Sequence, residues 1–138
     1  MISEQQFKTS IAKMFGRGHL AKFPKRHQDQ LIFFGAAALH LAGEPTYTEK
    51  EINRTLMAWL TEMQADNVID YVTLRRSLVD FRFVERDRVG REYTVAESDL
   101  ATVFEKSIFT LDLHTIIEQA QAEREARRRK WEAAQARD

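Results

Sequence analysis

Apolar residues recur three and four positions apart in blocks along this chain, and most blocks open on a polar residue suited to start a helix. Ser3 with Gln6 has the form of a capping box and Ile2 with Phe7 that of a hydrophobic staple. A helix is therefore predicted from Ser3, with Phe7, Ile11, Met14 and Phe15 as its apolar face, ending at Gly16 and Gly18. The basic segment from Arg17 to His27 leads into a second helix predicted over 24–42, with Pro24 in its first turn and Gly43 and Pro45 past its end. Thr48 and Glu51 make a second capping box, flanked by the staple Tyr47 and Ile52, and Ile52, Leu56, Trp59, Leu60 and Met63 continue on one face. After a short polar connection, 64–69, Asp70 caps a further helix that carries Tyr71, Leu74, Leu78 and Phe81 along one stripe.

Past Phe81 the pattern changes. Phe83-Val84-Glu85-Arg86 and Glu92-Tyr93-Thr94-Val95 are rich in strand formers and enclose a turn around Asp87 to Gly90, which predicts a β-hairpin. Ser98 and Asp99 open another helical pattern, with Leu100, Val103, Phe104, Ile108 and Leu111 on one side. Thr110 or Asp112 caps a last helix, whose stripe is Leu113, Ile116, Ile117 and Ala120. Beyond Gln121 the sequence is charged and alanine-rich. The expected fold is mainly α with a small β-hairpin: a winged helix-turn-helix-like core over 23–96, an N-terminal helix and basic linker over 1–22, and a C-terminal helical extension over 97–138. In a winged helix the third helix usually enters the DNA major groove.

Several spaced motifs point the same way. Phe23-Pro24-Lys25-Arg26, Tyr47-Thr48-Glu49-Lys50-Glu51-Ile52-Asn53, Asp70 followed by Leu74-Arg75-Arg76-Ser77-Leu78-Val79-Asp80, Glu85-Arg86-Asp87 and Arg91-Glu92-Tyr93 occur in that order. The stretch from Phe23 to Val95 resembles a small bacterial domain family of unknown function, found alone or attached to helix-turn-helix transcriptional regulators. The resemblance implies a regulatory role. It departs from the usual pattern at Arg82, where a small turn residue is typical, and in a lengthened 64–69 loop.

Composition narrows the function classes. With 138 residues, 43% of them hydrophobic, the chain can bury one core. It has no apolar run of about 18 residues, so no membrane partner is expected. Glu4 and the glutamines beside it do not form a secretory leader, and a cytoplasmic location is expected. The absence of cysteine excludes disulfides and cysteine-based metal sites. Twenty-one basic residues balance 21 acidic ones. Any DNA affinity must come from local patches rather than a global field.

Helical projection of residues 71–82 puts Thr73, Arg76 and Asp80 opposite the apolar stripe and Arg75 at its border. Arg76, beside Thr73, is the candidate for a guanine edge or a phosphate, while an ion pair with Asp80 is the competing role. Arg75 is expected to be structural, covering core edge with its stem and pairing with Glu49 or Glu51. Arg86, Arg88 and Arg91 surround Gly90 and are the candidate wing contacts, diluted by Glu85, Asp87 and Glu92. Lys25 and Arg26, with Lys22 and His27, crowd a helix start where phosphate is favourable. His19, His27, His40 and His114 have no metal-ligand spacing, and no phosphate loop or nucleophile motif is present, so no enzyme activity, cofactor or metal is expected. The basic cluster over 123–131 reads as a solvated helix end, although Ala120, Arg127, Trp131 and Ala134 fall near heptad spacing. The expected partners are double-stranded DNA and a second copy of the chain, joined through the 113–117 stripe. The alternative is a winged-helix protein-interaction or dimerisation module without DNA binding, which uses its helices to bind another regulatory protein or to self-associate.

Overall fold

The computed structural model describes residues 1–137, which form six α-helices and a small three-stranded antiparallel sheet. Ser3 caps helix α1 (Glu4–Phe15) as its spacing predicts: its hydroxyl accepts from the Gln6 N–H at 3.1 Å, and the Gln6 side chain accepts from the Ser3 N–H at 2.9 Å. Helix α2 (His27–Leu41) starts three residues later than expected. Arg26 is extended, with ψ 135°, and the Pro24 carbonyl accepts from the Gln30 side chain at 2.9 Å. Pro24 therefore belongs to the linker rather than to the first turn.

A strand the periodicity did not announce, β1 (Tyr47–Thr48), precedes α3 (Glu49–Glu62). Two residues carry too little alternation to signal a strand. The Thr48–Glu51 capping box forms, with both bonds at 3.1 Å. Helix α4 (Tyr71–Asp80) is capped by Asp70, whose carboxylate accepts from the Thr73 N–H at 2.7 Å. The hairpin follows as β2 (Val84–Arg86) and β3 (Glu92–Val95). β3 lies in the centre of the sheet, paired with β2 through Arg86↔Tyr93 and with β1 through Tyr47↔Tyr93.

The ends of α3 and α4 share one device. At the first, the Ala65 N–H reaches the Leu60 carbonyl at 2.9 Å and the Gln64 N–H reaches Thr61 at 3.1 Å. At the second, Phe83 bonds back to Leu78 and Arg82 to Val79, both at 3.0 Å. Each pair of bonds is a Schellman closure, which places its turn residue in the left-handed region: Gln64 at φ 53° and Arg82 at φ 64°. Glycine adopts that region freely, whereas Arg82 enters it at a cost. The 64–69 connection is less polar than expected, since Ala65 and Ile69 are buried in the core.

The helical pattern after Ser98 is divided in two. Helix α5 (Glu97–Val103) follows Ala96 at its N-cap, without a side-chain cap from Ser98 or Asp99. Phe104 is extended and forms a parallel bridge with Ile2, whose N–H donates to Val103 at 2.7 Å and whose carbonyl accepts from Glu105 at 2.9 Å. A 3-10 turn (Lys106–Thr110) then leads to α6 (Leu113–Ala136), capped by Asp112. Leu100, Phe104 and Ile108 are all buried, so a broken path reproduces the spacing of a continuous helix. The Phe104 ring passes so close to Gly35 that a β-carbon there would strike it.

One hydrophobic core draws on both ends of the chain as well as its centre, with Phe7, Phe33, Leu56, Leu78, Phe104 and Ile116 all in the same cluster. Ile116 is buried, and Leu113 and Ile117 are partly buried against that cluster. The stripe from which a homodimer was expected is therefore covered within the chain, largely by packing of α1 against α6. No described helix is long and apolar enough to cross a membrane.

Candidate nucleic-acid interface

Helix α4 presents its two adjacent arginines differently. Arg75 is held: it donates to the Asn53 side-chain oxygen on α3, lies 3.6 Å from the Glu49 carboxylate, and sits 5.9 Å above the Tyr93 ring. Its side chain is only 13% exposed. The expected acidic partner is thus Glu49, while Glu51 is occupied at the helix cap, where the Thr48 hydroxyl holds its carboxyl below the usual range. Nothing in the sequence marks Asn53 for this role, because an asparagine on an amphipathic helix carries no sign of the partner it will meet.

Arg76 is exposed, as are Thr73 and Asp80. Among the described residues, the competing Arg76–Asp80 ion pair does not form. The nearby Asp70 carboxyl is held below its usual pKa, first by the Thr73 N–H and hydroxyl and only weakly by Arg76. It caps the helix as an ionised carboxylate and lies outside ion-pair distance of Arg76.

The hairpin repeats this arrangement. Asp87 accepts from the Arg91 N–H at 2.7 Å and the Glu92 N–H at 3.2 Å, and Gly90 turns the chain at φ 70°. The backbone bond from Glu92 is the largest of the influences that lower the Asp87 pKa, and Arg86 the smallest. Asp87 thus stays ionised and bonded to the backbone of the turn, outside ion-pair distance of the arginines. Arg86 lays its guanidinium over Gly90, where a side chain would collide with it. Arg86, Arg88 and Arg91 are exposed, and among the described residues none is within ion-pair distance of an acid. Tyr93 links the two elements: its ring lies under Arg75 of α4 and its backbone pairs with Arg86 of the hairpin.

Lys25 and Arg26 are exposed at the start of α2. They line a cleft with Lys13, Met14 and Lys22, which is formed with α1 rather than with the hairpin. Their association with α1 was not legible in local sequence.

The histidines do not assemble a metal site; among the described residues, no group of three or more His, Asp or Glu side chains is placed to hold a metal. His114 Nε2 lies 2.6 Å from the Glu62 carboxylate and ties α6 to α3. His40, 6.3 Å from the Trp59 ring, has its pKa lowered by lost hydration, with Glu62 opposing the shift and His114 adding to it.

Comparison with known proteins gives no match among curated proteins and none among solved structures. Residues 19–95, more than half of the chain, match the family described as "Uncharacterized protein conserved in bacteria (DUF2087)", and the chain belongs to that family.

Proposed function

We propose that the chain is a non-enzymatic DNA-binding protein whose α2–β3 region acts as a winged helix, with α4 entering the major groove and the β2–β3 hairpin lying along the backbone. The order helix, strand, helix, helix, hairpin, with the last strand at the sheet centre, supports this reading. The observation that carries it is the contrast on α4 and the hairpin: Arg75 is held by Asn53, Glu49 and Tyr93, while Arg76, Arg86, Arg88 and Arg91 are exposed without an acid at ion-pair distance among the described residues. Free arginines can exchange condensed counterions for phosphate contacts, which gives affinity. Arg76 with Thr73 beside it can also reach base edges, which gives sequence preference. Lys25 and Arg26 supply further phosphate contacts if the duplex extends toward the start of α2. Two copies on paired half-sites would double the contact set.

Fluorescence anisotropy with a mixed-sequence duplex at increasing salt tests the reading. A log–log slope of about −3 to −6 is expected for a handful of phosphate contacts. Absence of binding at micromolar protein would favour the second reading, a winged-helix module that binds another regulatory protein. That reading draws on the zero net charge and on the acids Glu85, Asp87 and Glu92 among the hairpin arginines.

A further inference from the structure

Charge is interleaved on α4 and the hairpin, but not everywhere. Residues 5–28 contain six lysines and arginines and no aspartate or glutamate. This acid-free stretch covers most of α1 and the linker after it, and α6 packs against α1. Between the two helices lies a groove of ≈ 520 Å³. Its small and apolar lining, Ala12, Gly16, Ile116 and Ala120, is buried or half-buried. Cations stand along both sides, Lys8 and Lys13 from α1 and Arg124 and Arg127 from α6, against one acid, Glu123. Lys8 is engaged by Glu4 at 3.1 Å, whereas Lys13, Arg124 and Arg127 have no ion pair among the described residues.

We propose that this groove docks an acidic amphipathic helix of a partner protein. A helix is about 10–12 Å across with its side chains and packs about 8–10 Å from its neighbours, most closely where the contact residues are small. Ala12, Gly16 and Ala120 permit that approach and face the partner's stripe, while Ile116 lies buried at the floor of the groove. Carboxylates flanking the stripe would then meet Lys13, Arg124 and Arg127 on the two sides. A nucleic-acid backbone could use the cations, but it would leave the apolar floor unmatched. A second copy meeting the groove through the same face would bring like charge and be repelled. The groove shares Lys13 with the Lys25–Arg26 cleft but no residue with the α4 and hairpin surface, so a partner helix and a duplex on α4 and the hairpin could be held together.

The test uses the full chain and a fluorescein-labelled peptide of about 18 residues, roughly 27 Å as a helix, with Leu and Ala on one face and Glu on its flanks. Binding in the range of about 10–100 μM is expected, weakening as salt rises. A scrambled peptide of equal composition should bind at least about tenfold more weakly, because it keeps the charge and loses the stripe. Reversing charge with Arg124→Glu and Arg127→Glu, both exposed, should abolish peptide binding, and Ala120→Trp should block the groove without changing charge. Duplex DNA should bind the charge-reversed protein as it binds the parent. Equal binding of the scrambled peptide would overturn the proposal, as would no binding at millimolar peptide. Displacement of the peptide by duplex, with weaker duplex binding to the charge-reversed protein, would assign the face to nucleic acid instead.

Discussion

Arg75→Ala and Arg76→Ala are expected to separate stability from binding, although the residues are neighbours. They point about 100° apart on α4. Truncating Arg75 removes a charged hydrogen bond to Asn53, worth about 1.5–3 kcal/mol where water cannot replace it. It also removes a guanidinium over Tyr93, about 0.5–1 kcal/mol. The 3.6 Å pair with Glu49 adds little, about 0.5 kcal/mol, because that carboxylate is half exposed. Water can partly satisfy Asn53 and the contributions are not additive, so a loss of about 2–3 kcal/mol is expected. At about 3–5 °C per kcal/mol for a chain of this size, the melting temperature should fall by about 6–15 °C. Arg76→Ala should change stability by no more than about 0.5 kcal/mol, as exposed substitutions usually do. Urea denaturation of both variants, with an Arg75/Asn53 double-mutant cycle, measures these quantities. A coupling near zero, or identical melts for the two single variants, would refute the packing assigned to α4.

Other consequences are equally specific. Arg82→Gly should stabilise the protein by about 0.5–1 kcal/mol in the same assay, because position 82 closes the α4 Schellman turn at φ 64° and glycine adopts that region without a side-chain clash. Gly35→Ala should instead destabilise by at least about 1–3 kcal/mol despite its better helix propensity, because the buried Phe104 ring is wedged between Phe7 and Phe83 and must move; thermal melts would reveal the sign. The Asp70 and Asp87 carboxyls have folded pKa values below the ordinary 3.8, so their stabilisation is complete above that value and lost as pH falls through the lower folded values. Asp70→Asn, which keeps a capping oxygen without a titrating proton, should flatten the stability–pH curve in that acid window. A chain ending at 121 should melt cooperatively, since the rest of α6 contributes no residue to the core, whereas one ending at 96 should not, because it lacks Leu100, Phe104, Ile108 and Ile116.

The helix starts most legible in sequence were those set by chemistry within four residues. Ser3, Thr48 and Asp70 cap as their spacing requires, and the helical period separates Arg75 from Arg76. Relationships made across the chain left weaker traces. The Ile2–Phe104 bridge joins residues far apart in sequence, and it divides an apolar pattern that reads locally as one helix. β1 has two residues and owes its form to its partner β3. The Leu113, Ile116 and Ile117 stripe had an apparent vacancy because its cover, α1, lies at the other end of the chain. The exposed candidates of α4 and the hairpin were legible from phase and turn chemistry. The association of Lys25 with Lys13, and of Lys13 with Arg124, depends on tertiary packing.

We propose that α4 and the hairpin together hold duplex DNA. This is tested most directly by a salt series of anisotropy titrations on the parent and on Arg76→Ala/Arg88→Ala/Arg91→Ala, whose three sites are exposed and whose fold should be preserved. The variant should melt like the parent, bind at least about a hundredfold more weakly, and show a salt slope shallower by about 2–3. A variant that binds with the parent's affinity and salt slope would contradict the assignment of this surface to DNA.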